Sequence, residues 1–216
     1  MQGIILKDLY EAFCLKKNLI AWISCIIVYG LIVILMPTRY AYILCVAVAL
    51  PMLGISVLQY SIEQDEISKY DRIMLTYPLT KKEIILSKYL SGMVLQAMVF
   101  SFNFVLALLY SFGYKVIDFT EAMGIWTVGV IFSFIYMAIN YMIFFWLGSK
   151  KGIVIYFIFV IVIAAVYIFS YFSIDITAIL SINKILAMVV GFTISIVALV
   201  GSYYASIRIY TRRHIK

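Results

Sequence analysis

The sequence is short of charge: Asp, Glu, Lys and Arg make up 12% of its 216 residues, about half the share expected of a soluble domain. Hydrophobic residues fill 66% of the chain, so water is not its main solvent, and apolar runs of about twenty residues match the hydrocarbon thickness of a bilayer. Histidine occurs once, as His214. The three cysteines, Cys14, Cys25 and Cys45, form no CxxC pair and have no second Cys or His at ligand spacing, so they read as small apolar fillers with no metal site among them. No HExxH, paired carboxylates or nucleophile with a plausible base occurs, which speaks against a membrane-embedded hydrolase. GxxxxGK[ST] is also missing, so any ATP energy has to come from another chain.

What is present is a pattern of apolar segments at 18–36, 40–60, 84–110, 122–147, 152–172 and 184–206. The first is longer than a typical signal-sequence core and is followed by Pro37-Thr38-Arg39 with no small-x-small cleavage pattern, so it is expected to stay in the mature chain. Six spans put both termini on one side. Lys7, Lys16, Lys17, Lys69, Arg72, Lys81, Lys82, Lys88, Lys150, Lys151, Arg208, Arg212, Arg213 and Lys216 then share a face, against Arg39, Lys115 and Lys184 opposite. That bias makes the shared face cytoplasmic. It also accounts for the net charge of +7, since no separate basic module suggests nucleic acid. The expected fold is all-α and integral to the membrane, a single transmembrane domain over 1–216. It has an interfacial segment 1–17, spans 1 and 2 in 18–60, a cytoplasmic loop 61–83, spans 3 and 4 in 84–147, spans 5 and 6 in 152–206 and a basic tail 207–216.

The outer connections are short, at Pro37 to Arg39, 111–121 and 173–183, and hold no extracellular domain. Pro51 and Gly54 predict a bend in the second span, and Gly191, Ser195, Gly201 and Ala205 give the sixth small-xxx-small faces. Gln96, Asn103 and Asn140 lie at membrane depth, placed either to hydrogen-bond between helices or to touch a substrate. No ionisable residue lies near the middle of a span, although one there would cost about 3 kcal/mol and usually serves ion or proton coupling. An ion-driven carrier is therefore disfavoured.

Residues 63–90 concentrate ten of the chain's twenty-seven charged residues. Ser61-Ile62-Glu63-Gln64 fits a capping box and predicts a helix from Ser61, with Glu63, Asp65 and Glu66 near its positive end. Ile67, Tyr70, Met74 and Tyr77 form an apolar stripe at helical spacing. Pro78 ends that helix, and Thr80-Lys81-Lys82-Glu83 supplies a second capping box before Ile84-Ile85-Leu86. The expected product is an amphipathic helix along the membrane surface, held at a corner to the third span. A plain solvated loop whose lysines set orientation is the alternative, but positive-inside sorting gives the acidic residues little part. Near the amino terminus, Ile5, Leu9 and Phe13 recur every four residues with Lys7, Asp8 and Glu11 on other faces, which reads as an interfacial helix.

Glu63-Gln64-Asp65-Glu66, Tyr70-Asp71-Arg72, Tyr77-Pro78-Leu79-Thr80-Lys81-Lys82-Glu83 and Ser87-Lys88-Tyr89-Leu90 together resemble the first cytoplasmic loop of small type-2 ABC exporter permeases. Leu6-Lys7-Asp8-Leu9 and the six-span plan are similar to that family too. The resemblance implies a permease that pairs with a second permease subunit and lays a coupling helix, about Glu63 to Tyr77, on a separate ATPase subunit. The chain itself would carry no cofactor, with ATP and Mg on that partner. Glu63, Gln64, Asp65, Glu66, Asp71 and Arg72 would be the polar contacts, Tyr70, Met74 and Tyr77 the apolar ones, and Pro78 the corner. Segment 1–17 is then either an elbow contacting the ATPase or a membrane anchor. The short 173–183 connection departs from larger members of the family, leaving room for only a small extracellular gate. The aromatic-rich spans suit a hydrophobic or amphipathic cargo such as a peptide, in the manner of permeases that export amphipathic bacterial peptides. An ion-coupled carrier and a non-transporting immunity or scaffold protein of the membrane are the rival readings.

Overall fold

The computed structural model of the protein describes residues 2–74, 76, 78–173 and 184–213, and among these every regular element is helical. Tyr77, His214 and nearly all of the 173–183 connection lie outside the described residues.

Helix α1 (Gln2–Cys14) leads into α2 (Lys16–Leu35). The buried face of α1 is Ile4, Asp8 and Ala12, one position before the expected stripe of Ile5, Leu9 and Phe13, which are half-buried. Asp8 turns inward because its cationic partners lie there. Helix α2 is apolar all round and buries little besides Asn18 and Val33, as a helix facing lipid does. The Asn18 side chain donates to the Glu11 carbonyl at 2.8 Å and fixes the corner between α1 and α2.

The expected second span is not one helix. Thr38 caps α3 (Arg39–Ile43) through its side-chain oxygen, a π-helical turn follows at Leu44–Ala49, and α4 (Leu50–Leu53) ends at Gly54 before α5 (Ser56–Ser68). Pro51 has no N–H to donate four residues back, and the wider turn just before it absorbs that loss. Gly54 is required by close approach: a Cβ there would run into the Gln96 side chain. The predicted bend falls where Pro51 and Gly54 put it.

Helix α5 begins five residues before Ser61, so the first predicted capping box does not form and Ser61 sits inside a helix. It ends at Lys69, which takes the left-handed conformation at φ 55°. Helix α6 (Tyr70–Met74) follows. The continuous helix expected over 63–77 is thus two pieces at an angle. The second box forms as predicted: Glu83 N–H donates to Thr80 Oγ1 at 3.3 Å, Thr80 N–H donates back to Glu83 at 2.7 Å, and α7 (Lys81–Leu108) starts there.

Helix α7 continues through a π-helical turn at Leu109–Gly113, and α8 (Phe119–Ser173) runs for 55 residues with a break at Gly148. There φ is 78° and ψ −177°, a conformation essentially confined to glycine, and it separates the segments expected as spans four and five. Helix α9 (Lys184–Arg213) closes the fold. Its inward residues include Ser195, Leu199, Ser202, Ser206 and Tyr210, whereas Gly201, expected at a helix contact, has open space around it. Among the described residues, four helical stretches are long and apolar enough to cross a membrane: Lys16–Leu35, Lys81–Gly113, Phe119–Ala165 and Leu186–Arg212.

Contacts at the two ends of the bundle are distinct. At one, Arg39 pairs with Glu121 and the Tyr42 hydroxyl donates to the Ala122 carbonyl at 2.9 Å. At the other, Ile4, Ile62, Met74, Ile84, Phe145 and Tyr210 share one apolar cluster, so both termini of the described chain meet there. Gln96, Asn103 and Asn140 are all buried. Asn140 donates to Tyr136 of its own helix at 2.9 Å, not to a neighbouring helix.

Candidate functional site

The acidic run of α5 is consumed at this second end. Each carboxylate holds a different element. Glu63 takes Lys17 of α2 at 2.7 Å. Asp65 takes Lys7 of α1 on Oδ1 at 2.6 Å and Lys88 of α7 on Oδ2 at 2.5 Å. Glu66 accepts the backbone N–H of Ser149 at 3.0 Å and also its hydroxyl, which satisfies a donor freed where α8 breaks at Gly148.

Lys88 is the centre of the group. Its side chain is 3% exposed, two turns into α7 with Ile84, Ile85 and Tyr89 around it, and it reaches Asp8 Oδ1 at 3.0 Å, Asp65 at 2.5 Å and the Ser61 hydroxyl. Ser61 donates in turn to Asp8 at 2.7 Å. Asp8 is fully buried and also lies 3.2 Å from Lys7. Lys7 completes the group with Glu11 at 3.2 Å and with its ammonium 4.6 Å from the Tyr70 ring centre. Three carboxylates thus surround two ammonium groups. Burial pushes the Lys7 pKa down, but Asp8, Asp65 and Glu11 outweigh it and hold the ammonium above its usual value. Burial raises the Glu11 carboxyl, with Lys7 opposing it. Buried ions persist when paired and hydrogen-bonded in this way.

The residues expected to face a partner divide in two. Asp65 and Met74 are buried, Glu63, Gln64, Glu66 and Tyr70 are half-buried, and Met74 packs in the protein's own core with Ile62 and Ile84. Ile67 is 68% exposed and Ile73 is 46% exposed, and Ser68, Lys69, Thr76 and Pro78 are exposed beside them. The predicted stripe therefore splits, because the turn at Lys69 rotates α6 relative to α5. Asp71 and Arg72 lie in α6, their side chains outside the described residues, as is Tyr77. Sequence reasoning missed the role of Lys88, counting it with the charges that set orientation. A lysine inside the apolar run Ile84 to Leu90 and an aspartate midway between Ile4 and Ala12 were the available signals.

A bundle of long apolar helices whose charges gather at one end in a closed ionic knot is a multi-pass membrane protein. The family model described as ABC-2 family transporter protein matches residues 3–211, so the chain belongs to the ABC-2 transporter family and is a membrane component of the permease type. No curated protein and no solved structure matches it.

Proposed function

We propose that the chain is the permease subunit of an ATP-driven exporter, energised by a separate ABC-type ATPase subunit and paired with a second permease subunit, identical or different. Six segments cross the bilayer: α2, the broken run from α3 into α5, α7, the two parts of α8 on either side of Gly148, and α9. Both termini are cytoplasmic, and the membrane is the cell membrane of a bacterium. ATP and Mg belong to the partner.

The observation that carries the reading is the division of α5 and α6 into two faces. The inward face is tied by Glu63, Asp65 and Glu66 to α2, α1, α7 and α8, while the outward face offers Ile67 and Ile73 among polar exposed neighbours. Apolar side chains rimmed by polar ones are the usual form of a docking surface. The ATPase sits on that outward face in this reading, with the acidic residues as anchors behind it. The cargo is hydrophobic or amphipathic, in the manner of a peptide, because the spans hold aromatic residues and no ionisable residue near their middle for ion coupling.

Ile67→Asp together with Ile73→Asp tests the surface without touching the core. The double variant should insert and stay monodisperse in mild detergent, yet recover at least tenfold less ATPase subunit than wild type. Full recovery would remove the docking role from this face.

A further inference from the structure

We propose that Lys88 is the positioning residue through which motion of α5 and α6 reaches the membrane: its ammonium, held between Asp8 and Asp65, makes α1, α5 and the start of α7 one moving body. The inference rests on the permease reading above and adds to it the path of the force.

The backbone is a poor route from α5 to α7. Helix α5 ends in a left-handed residue at Lys69, α6 lasts five residues, and Pro78 precedes the new helix start at Thr80. Each of these points is a joint where the chain changes direction. Side chains bypass all three: Lys88 on α7 bonds Asp65 and Ser61 on α5 and Asp8 on α1, and Ser61 bonds Asp8, closing a ring of contacts over three helices. The ring is buried, so water does not compete for its hydrogen bonds, and a buried ion cannot leave its partners without an uncompensated charge. Three helices so joined turn together or not at all.

The link from α5 to α8 is of another kind. Glu66 holds Ser149, and the residue before Ser149 is Gly148 at φ 78°, a conformation open to glycine that lets the two parts of α8 change angle. Helix α5 is thus clamped to α7 and hinged to α8. Displacement of α5 should move α7 relative to the part of α8 before Gly148, with α1 following α7.

The test uses the complex of the chain with its ATPase subunit in nanodiscs, with Cys14, Cys25 and Cys45 replaced. Spin labels are placed at the exposed positions Tyr10, Phe112 and Trp146, and pulsed dipolar distances are measured without nucleotide and after trapping with ADP and vanadate. The expected result is an unchanged distance from Tyr10 to Phe112 and a shifted distance from Phe112 to Trp146. Lys88→Gln should widen the first distribution at least twofold and cut the second shift at least threefold while ATP hydrolysis persists, and Lys88→Arg should restore both. If Lys88→Gln assembles poorly, Lys88→Gln with Asp8→Asn removes one charge of each sign and should assemble with the same loss of shift. A full shift in assembled Lys88→Gln or in the double variant, or no shift in wild type, would overturn the proposal. Failure of any ATPase to accompany the wild-type chain would overturn the permease reading, and this inference with it.

Discussion

Removing Lys88 should cost more than removing Asp65, one of the two carboxylates it touches. The knot holds Asp8, Glu11 and Asp65 against Lys7 and Lys88. Lys88→Met leaves three carboxylates around one ammonium, with Asp8 fully buried and Asp65 nearly so. A buried charge stripped of its partner costs about 3–5 kcal/mol. Lys7 still reaches both acids, which points to the lower part of that range. Asp65→Asn, by contrast, leaves two carboxylates for two ammonium groups, and Lys88 keeps Asp8 and Ser61. Its cost should be about 1–3 kcal/mol, that of a buried hydrogen-bonded group with a weakened partner. Combining Lys88→Met with Asp8→Asn should recover about 1–3 kcal/mol of the single-variant loss, because the two residues are in contact. Helical ellipticity followed through a titration of dodecylmaltoside micelles with sodium dodecyl sulfate measures all three. A loss below about 1 kcal/mol for Lys88→Met, or a larger loss for Asp65→Asn, would refute the account of the knot.

Two other perturbations are sharply defined. Gly148→Ala should cost about 1–3 kcal/mol, since an alanine cannot hold φ 78° with ψ −177° unstrained, and the same denaturant titration reads it. Thr80→Ala should cost about 1 kcal/mol and expose the first turn of α7 to faster amide exchange. Amide exchange in that first turn left unchanged by Thr80→Ala would contradict the capping assignment.

Local signals were legible and long-range ones were not. The Thr80 box could be read because its two partners sit three residues apart and nothing else competes for them. The same reasoning failed at Ser61, where the helix was already under way and the hydroxyl was drawn to Asp8, fifty-three residues distant. The bend at Pro51 and Gly54 was foreseeable from backbone chemistry, whereas the left-handed turn at Lys69 was not, since lysine carries no preference for it. Segment boundaries at 147 and 152 anticipated an interruption in α8, and Gly148 supplies it within one continuous element. The acidic run, expected to face a partner, is held at three residues by the protein's own helices: its partners Lys17, Lys7, Lys88 and Ser149 lie 46, 58, 23 and 83 residues away, beyond the reach of a local pattern. Only the family resemblance spanned such separations, and the match over residues 3–211 supports it at the level of the ABC-2 transporter family.

The central claim is that this chain moves cargo with energy from another subunit. The most direct measurement is purification of the tagged chain from its native membrane in mild detergent, followed by mass spectrometry of the proteins that accompany it. The account predicts an ATP-binding subunit in stoichiometric amount, lost from the Ile67→Asp, Ile73→Asp variant. Recovery of the chain under several gentle conditions with no such subunit would contradict it.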